Sequence, residues 1–245
     1  MKNEAIALKT LGLIGGMSWE STLPYYREIN QTVKAQLGGL HSAKLILYSV
    51  DFAEVEHLQA TDQWDAAGAL LANVAQKLEA AGADALVLCT NTMHNVADAI
   101  TGAVYIPLLH IADPTAQAIR QACYTTVGLL GTRFTMEQDF YRSRLEKDHS
   151  LTVLTPPQAD RDRVHQIIYD ELCLGKVHDA SRETYLRVIR DLQAQGAQAI
   201  ILGCTEIALL VQPLHCTLPL FDTTALHARS AALWALPGST PNANP

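Results

Sequence analysis

Two short runs of the chain carry residues able to do chemistry, and each follows an apolar run that reads as a β-strand. The first is Leu88-Cys89-Thr90-Asn91-Thr92-Met93-His94, and the second is Leu202-Gly203-Cys204-Thr205-Glu206. Free backbone amides at a helix start attract anions, so a substrate carboxylate has a place there. The same field lowers a cysteine pKa and favours the thiolate. One free cysteine alone is more often a small buried hydrophobe. Two matched polar runs after two matched strands reverse that preference. Glu206 either orients Cys204 or favours the start of a helix. A third run, Gly15-Gly16-Met17-Ser18, follows the first strand, and its glycines permit close approach of the backbone to a ligand. It lacks the full G-x-G-x-x-G fingerprint, and no Walker sequence is present. Gly131-Thr132-Arg133 is its counterpart later in the chain.

The nine histidines form no H-E-x-x-H and no compact cluster in sequence, so no metal site is expected. His94 reads as a satisfied helix residue rather than a metal ligand. His110, Asp113 and Asp222 follow strands and read as cleft or helix-capping residues. A Ser/His/Asp route lacks the G-x-S-x-G elbow it would need.

These residues must be held by an alternation of strands and helices. Predicted strands cover Thr10–Gly15, Lys44–Ser49, Ala85–Leu88, Tyr105–Leu109, Thr126–Leu130, Leu151–Thr155, Ala199–Leu202 and Leu218–Phe221. Apolar residues at helical spacing run from about Gln63 to Ala81 and from Arg161 to Leu174. A first helix is expected near Ser21, capped by Ser21 or Thr22, with Pro24 in its first turn. This order predicts parallel sheets covered on both faces. The chain also repeats itself. Thr10-Leu-Gly-Leu-Ile-Gly15 returns as Thr126-Val-Gly-Leu-Leu-Gly131, an offset of 116. Gly82–Leu88 returns as Gly196–Leu202, an offset of 114, and Pro107-Leu-Leu as Pro219-Leu-Phe, an offset of 112. Two similar α/β halves are expected, with ligand binding beyond the carboxyl ends of their strands. Without a gap, Thr90 is the counterpart of Cys204. A one-residue gap would pair Cys89 with Cys204 instead.

Composition narrows the classes further. The 245 residues suit one large α/β domain or two of about 120 residues each. With 49% hydrophobic and 18% charged residues, a sizeable core is expected and wholesale disorder is not. The formal charge of −7, without a basic block, argues against nucleic acid as a partner. No apolar run approaches the ~20 residues of a membrane helix, and no signal-peptide core stands at the N-terminus, so the expected location is the cytoplasm. The five cysteines are widely spaced, at 89, 123, 173, 204 and 216, so neither a disulfide framework nor a cysteine zinc site is expected. The tail Pro237–Pro245, rich in Gly, Pro, Asn and Ser, reads as disordered.

Gly15-Gly-Met-Ser-Trp-Glu-Ser-Thr22, Asn91-Thr-x-His94, Gly131-Thr132 and Gly203-Cys-Thr-Glu206 together resemble the aspartate/glutamate racemase family, and within it the enterobacterial broad-specificity amino-acid racemase branch. The resemblance runs from about Thr10 to Leu236. It implies two Rossmann-like or flavodoxin-like parallel-sheet domains related by a pseudo-twofold axis, with the active site in the cleft between them. It also implies that the last segment returns to the first domain, giving residues 1–103 plus 209–236 and residues 104–208. Cofactor-independent racemisation of a small-molecule amino acid by a homodimer is the implied activity. Family members commonly read Cys-Asn-Thr-x-His. Aligned on that motif, the first catalytic position falls on Thr90 and the second on Cys204, with Cys89 as the fallback. The resemblance further implies substrate contacts from Met17, Ser18, Gln59, Asn91, Thr92, Thr132 and Thr205, with Glu206 in support. Racemisation removes an α-proton from one face and returns a proton on the other, which two groups flanking Cα can do. Arg133 and Arg163 are candidates for holding an acidic side chain. Cys173 stands where aspartate-specific relatives tend to carry a lysine, which leaves room for a neutral polar substrate such as homoserine. Hydantoin racemases, maleate isomerases and arylmalonate decarboxylases share the superfamily. A non-catalytic two-lobed amino-acid binding protein is the alternative outside it.

Overall fold

The computed structural model describes residues 7–238; most of the tail expected to be disordered lies outside them. Among the described residues, eight strands form two four-stranded parallel sheets. The first contains β1 (Thr10–Gly15), β2 (Lys44–Ser49), β3 (Ala85–Leu88) and β4 (Leu108–Leu109), in the order β2-β1-β3-β4. The second contains β5 (Thr126–Gly131), β6 (Thr152–Leu154), β7 (Ala199–Gly203) and β8 (Leu220–Asp222), in the order β6-β5-β7-β8. The helices are α1 (Trp19–Leu37), α2 (Phe52–Ala60), α3 (Trp64–Ala80), α4 (Ala97–Thr101), α5 (Ala112–Gln121), α6 (Arg133–Glu137), α7 (Asp139–Ser143), α8 (Gln158–Asp170), α9 (Asp179–Ala194), α10 (Ile207–Leu210) and α11 (Thr223–Trp234). None among the described residues is long and apolar enough to cross a membrane.

The repeat read from the sequence is reproduced register by register. Leu11 pairs with Ala85 in the first sheet, and Val127 pairs with Ala199 in the second. Leu86 pairs with Leu108, and Ile200 with Leu220. These are the residues that the offsets of 116, 114 and 112 relate. The central strands β3 and β7 are buried along their whole length, and β1 and β5 at every residue after the first, as expected of parallel strands covered on both faces.

The chain divides into two compact units, one holding residues up to Cys89, Val96–Leu109 and Ala228 onward, the other Thr90–Asn95 and His110–His227. In the first, Leu11, Leu13, Tyr25 and Val87 pack with Ala228, Ala231 and Ala232 of α11, whose small residues recur at helical spacing. In the second, Val127, Leu129, Ile200, Tyr185 and Leu192 form the centre of the core. The expected return to the first unit at residue 209 is corrected: β8 pairs with β7, so residues 209–227 stay with the second sheet.

Element boundaries also differ from expectation, and three of the differences have a clear local reason. α1 begins at Trp19, because the hydroxyls of Ser21 and Thr22 donate to the Ser18 carbonyl (2.9 Å each) instead of capping a later start. Pro24 therefore sits inside the helix rather than in its first turn. β4 is confined to Leu108–Leu109, since the amides of Tyr105 and Ile106 donate to the Glu79 carboxylate (2.7 and 3.1 Å) and Pro107 has no N–H to give. The helix expected through Leu174 ends at Asp170 and continues as a tighter turn over Leu172–Leu174, closed by Gly175 at φ 69°.

Candidate functional site

β7 ends on Gly203, opposite Gly131 of β5. A Cβ on Gly131 would lie 2.7 Å from the Gly203 carbonyl oxygen, and one on Gly203 would lie 2.8 Å from a Leu129 methyl. Only glycine admits this approach of two strand ends. It sets the start of the turn Cys204-Thr205-Glu206, whose three residues are all buried. The turn converges on one carboxylate. The Cys204 thiol donates to Glu206 Oε2 at 3.0 Å, and the Thr205 hydroxyl donates to the same oxygen at 2.6 Å. On the other side, the thiol of Cys173 lies 3.8 Å from Glu206 Oε1.

This environment corrects the expectation of a lowered thiol pKa. Burial pushes the Cys204 thiol well above its ordinary value, the Glu206 carboxylate and Cys173 add to the rise, and a bond from the Glu206 amide opposes it. The helix that follows, α10, spans only four residues. Its field is small beside a carboxylate at hydrogen-bond distance. In this state Cys204 is a thiol whose proton already points at a base.

The equivalent turn follows β3. Cys89 continues the register at the place Gly203 holds in the other sheet, and its amide donates to the Ile14 carbonyl at 2.9 Å. Its side chain is fully buried in the core of the first unit, and burial pushes the thiol far up. The next residues, Thr90–Asn95, belong to the second unit. Thr92 and Thr132 share a hydrogen bond between hydroxyls at 2.9 Å, and Thr135 closes the group at 3.2 Å from Thr132 and 3.5 Å from Thr92. Thr132 also caps α6, its oxygen accepting from the Thr135 amide at 3.3 Å. The Asn91 amide nitrogen donates to the Thr223 hydroxyl at 3.0 Å, which in turn donates to the Leu202 carbonyl at 2.9 Å. Because Thr223 spends its only proton on Leu202, it must accept from Asn91, and this fixes the orientation of the amide. Asn91 Oδ1 is left buried without a partner.

The structure thus gathers Asn91, Thr92, Thr132, Cys204, Thr205 and Glu206 into buried groups of the second unit, which also holds Thr90. Met17, Ser18 and Gln59 are buried in the first unit, Met17 and Ser18 between β1 and α1 and Gln59 on α2. Arg133 and Arg163 are exposed. Asp222 is a helix cap, accepting from the amides of Thr224 and Ala225. Asp113 instead pairs with Arg144 through two bonds of 2.6 and 2.8 Å. Sequence patterns alone do not point to Thr135 or Thr223. The one cue for Thr135 is its place three residues beyond a capping threonine, and the one for Thr223 is its place after a strand. Among the described residues, no group of three His, Cys, Asp or Glu side chains could hold a metal ion.

A family model described as Asp/Glu/Hydantoin racemase matches residues 14–231. The chain belongs to this racemase family. A protein from Yersinia pestis, whose crystal structure is described as that of a candidate Asp/Glu racemase, is 61% identical over 93% of this chain and 99% of its own, with a TM-score of 0.86. An aspartate racemase homologue from Pyrococcus horikoshii OT3 is 32% identical over 91% of this chain and 97% of its own, with a TM-score of 0.77. The broad-specificity amino-acid racemase RacX of Bacillus subtilis is 23% identical over 90% of this chain and 95% of its own.

Proposed function

We propose that the protein interconverts the L and D forms of a small polar amino acid by proton transfer at Cα, without pyridoxal phosphate, using Cys204 on one face and Thr90 on the other. The observation that carries this reading is the 3.0 Å hydrogen bond from Cys204 to Glu206, at the position that the strand registers make equivalent to Thr90. Glu206 Oε2 takes the thiol proton, the sulfur takes the α-proton of the substrate, and a proton reaches the opposite face from the Thr90 hydroxyl, which water then restores. The fallback Cys89 is disfavoured because its thiol faces the core of the first unit and donates toward the Val87 carbonyl at 3.6 Å.

The carbanion needs stabilisation as it forms. The hydroxyls of Thr92, Thr132 and Thr135 can turn to donate to an α-carboxylate gaining enolate character. Asn91 Oδ1, buried and unpartnered, suits the substrate ammonium group. Thr205 acts on Glu206 rather than on substrate. Met17, Ser18 and Gln59 supply further substrate contacts in this reading. None of the seven lysines falls within residues 89–95 or 203–206, so a Schiff-base mechanism has no nucleophile in either turn. Aspartate, glutamate and homoserine are the proposed substrates, and the proposed working form is a homodimer in the cytoplasm.

The test is loss of the α-proton NMR signal in D2O, with both configurations of these amino acids and no pyridoxal phosphate. Exchange and inversion that vanish in Cys204→Ser support the reading. Absence of exchange from every amino acid overturns it and favours decarboxylation, which needs a single proton donor of the Cys204 kind.

A further inference from the structure

We infer that His94 is a positioning residue: as a neutral imidazole it ties the Thr90–Thr92 turn to the start of α5 and so sets where the Thr90 hydroxyl is delivered. The inference rests on the proposed role of Thr90 and goes beyond it.

His94 lies in the short 3₁₀ turn Thr92–Val96 and is almost completely buried. Its two ring nitrogens make opposite bonds. The Ile111 amide donates to Nε2 at 3.2 Å, so Nε2 carries no proton. Nδ1 therefore holds the proton and donates it to the Thr90 carbonyl at 2.7 Å. The partners are backbone groups, one next to the Thr90 side chain and the other just before α5. A side chain that bridges them must donate at one end and accept at the other, and neutral histidine does both within one rigid ring. Losing it would leave a buried carbonyl and a buried amide without partners.

The surroundings keep the ring neutral. Burial lowers the His94 pKa well below its ordinary value, and the charges that His110, His227 and Arg144 would present lower it further, while the bond to the Thr90 carbonyl opposes them. The His110 ring packs edge-on at 4.4 Å between centroids, and that of His227 lies at 6.0 Å. Protonated histidine could no longer accept from Ile111. The residue is thus held in the one form that completes the bridge.

The experiment compares two processes in D2O: exchange with retention, which needs only Cys204, and inversion, which also needs a proton from the Thr90 face. In His94→Phe, inversion is expected to fall by about tenfold or more, because small misplacements of a reacting group are costly, while retained exchange changes far less. The Ile111 amide is expected to lose protection against hydrogen exchange. His94→Gln, which keeps a donor and an acceptor, is expected to recover part of both. If the phenylalanine variant does not fold, His94→Asn, which can reach the Thr90 carbonyl but not Ile111, makes the same comparison. Equal losses of exchange and inversion, or unchanged protection of Ile111, would overturn the inference. If the wild-type protein exchanges no α-proton at all, the racemase reading fails, and the protection of Ile111 still decides whether His94 forms the tie.

Discussion

At the end of β3 the chain reads Cys89-Thr90-Asn91-Thr92, and at the end of β7 it reads Gly203-Cys204-Thr205-Glu206. The backbones before them match residue for residue, yet the chemistry is displaced by one position. In the first turn the thiol of Cys89 sits on the last core position and the next residue, the buried Thr90, offers a hydroxyl. In the second the core position is a glycine, where a Cβ would lie 2.8 Å from a Leu129 methyl and 3.0 Å from the Leu130 carbonyl oxygen, and the thiol moves out to meet a carboxylate. A repeated fold therefore need not carry a repeated site. One residue at a strand end decides whether a sulfur packs in a core or meets a carboxylate.

Breaking the reactive turn has the largest expected effect. Cys204→Ser should lower α-proton exchange by about 10³-fold or more, because a hydroxyl is a far weaker base than a thiolate formed against Glu206. Glu206→Gln should cost about 10²-fold by removing the acceptor of the thiol proton while keeping its shape. Its rate should also become more dependent on alkaline pH, as solvent base must then ionise Cys204. Making the turns alike sharpens the comparison from the other side. Thr90→Cys should raise inversion relative to retained exchange by about tenfold; an unchanged ratio would mean that Thr90 is not the second proton carrier.

Smaller effects concern stability. Gly203→Ala should destabilise by about 1–3 kcal/mol, since the added methyl meets a Leu129 methyl and the Leu130 carbonyl, measurable as a lowered denaturation midpoint. The pH dependence of thermal stability should have two limbs. His94 and His110 are held below their ordinary pKa, chiefly by burial, so the folded state resists protonation and stability falls as pH drops below about 6.5. Cys89 and Cys204 are held above theirs, again chiefly by burial, so stability falls as pH rises past about 8.5. Cys204→Ser should trim only the alkaline limb.

Much of this was legible in the sequence. Strand periodicity and the internal offsets gave the two parallel sheets and their shared register, because β1 and β5 bury whole apolar runs bounded by glycine. The pairing of Thr90 with Cys204 followed from the ungapped repeat. What failed were features set by long-range contacts. The short β4 depends on Glu79, some 26 residues away, taking the amides of Tyr105 and Ile106. The raised thiol of Cys204 depends on burial and on Cys173, which approaches Glu206 across 33 residues of sequence. The grouping of Thr135 with Thr92 and the bridge through His94 likewise join segments that no local pattern connects.

The two turns offer unequal side chains, and one measurement addresses this inequality directly: deuterium incorporation at Cα from each enantiomer of the best substrate, followed separately before inversion accumulates. Rapid incorporation from the enantiomer whose α-proton faces Cys204, and slow incorporation from its mirror image, is the predicted result. Equal initial rates from both enantiomers would contradict it, since they would require a proton carrier at Thr90 as effective as the thiol of Cys204.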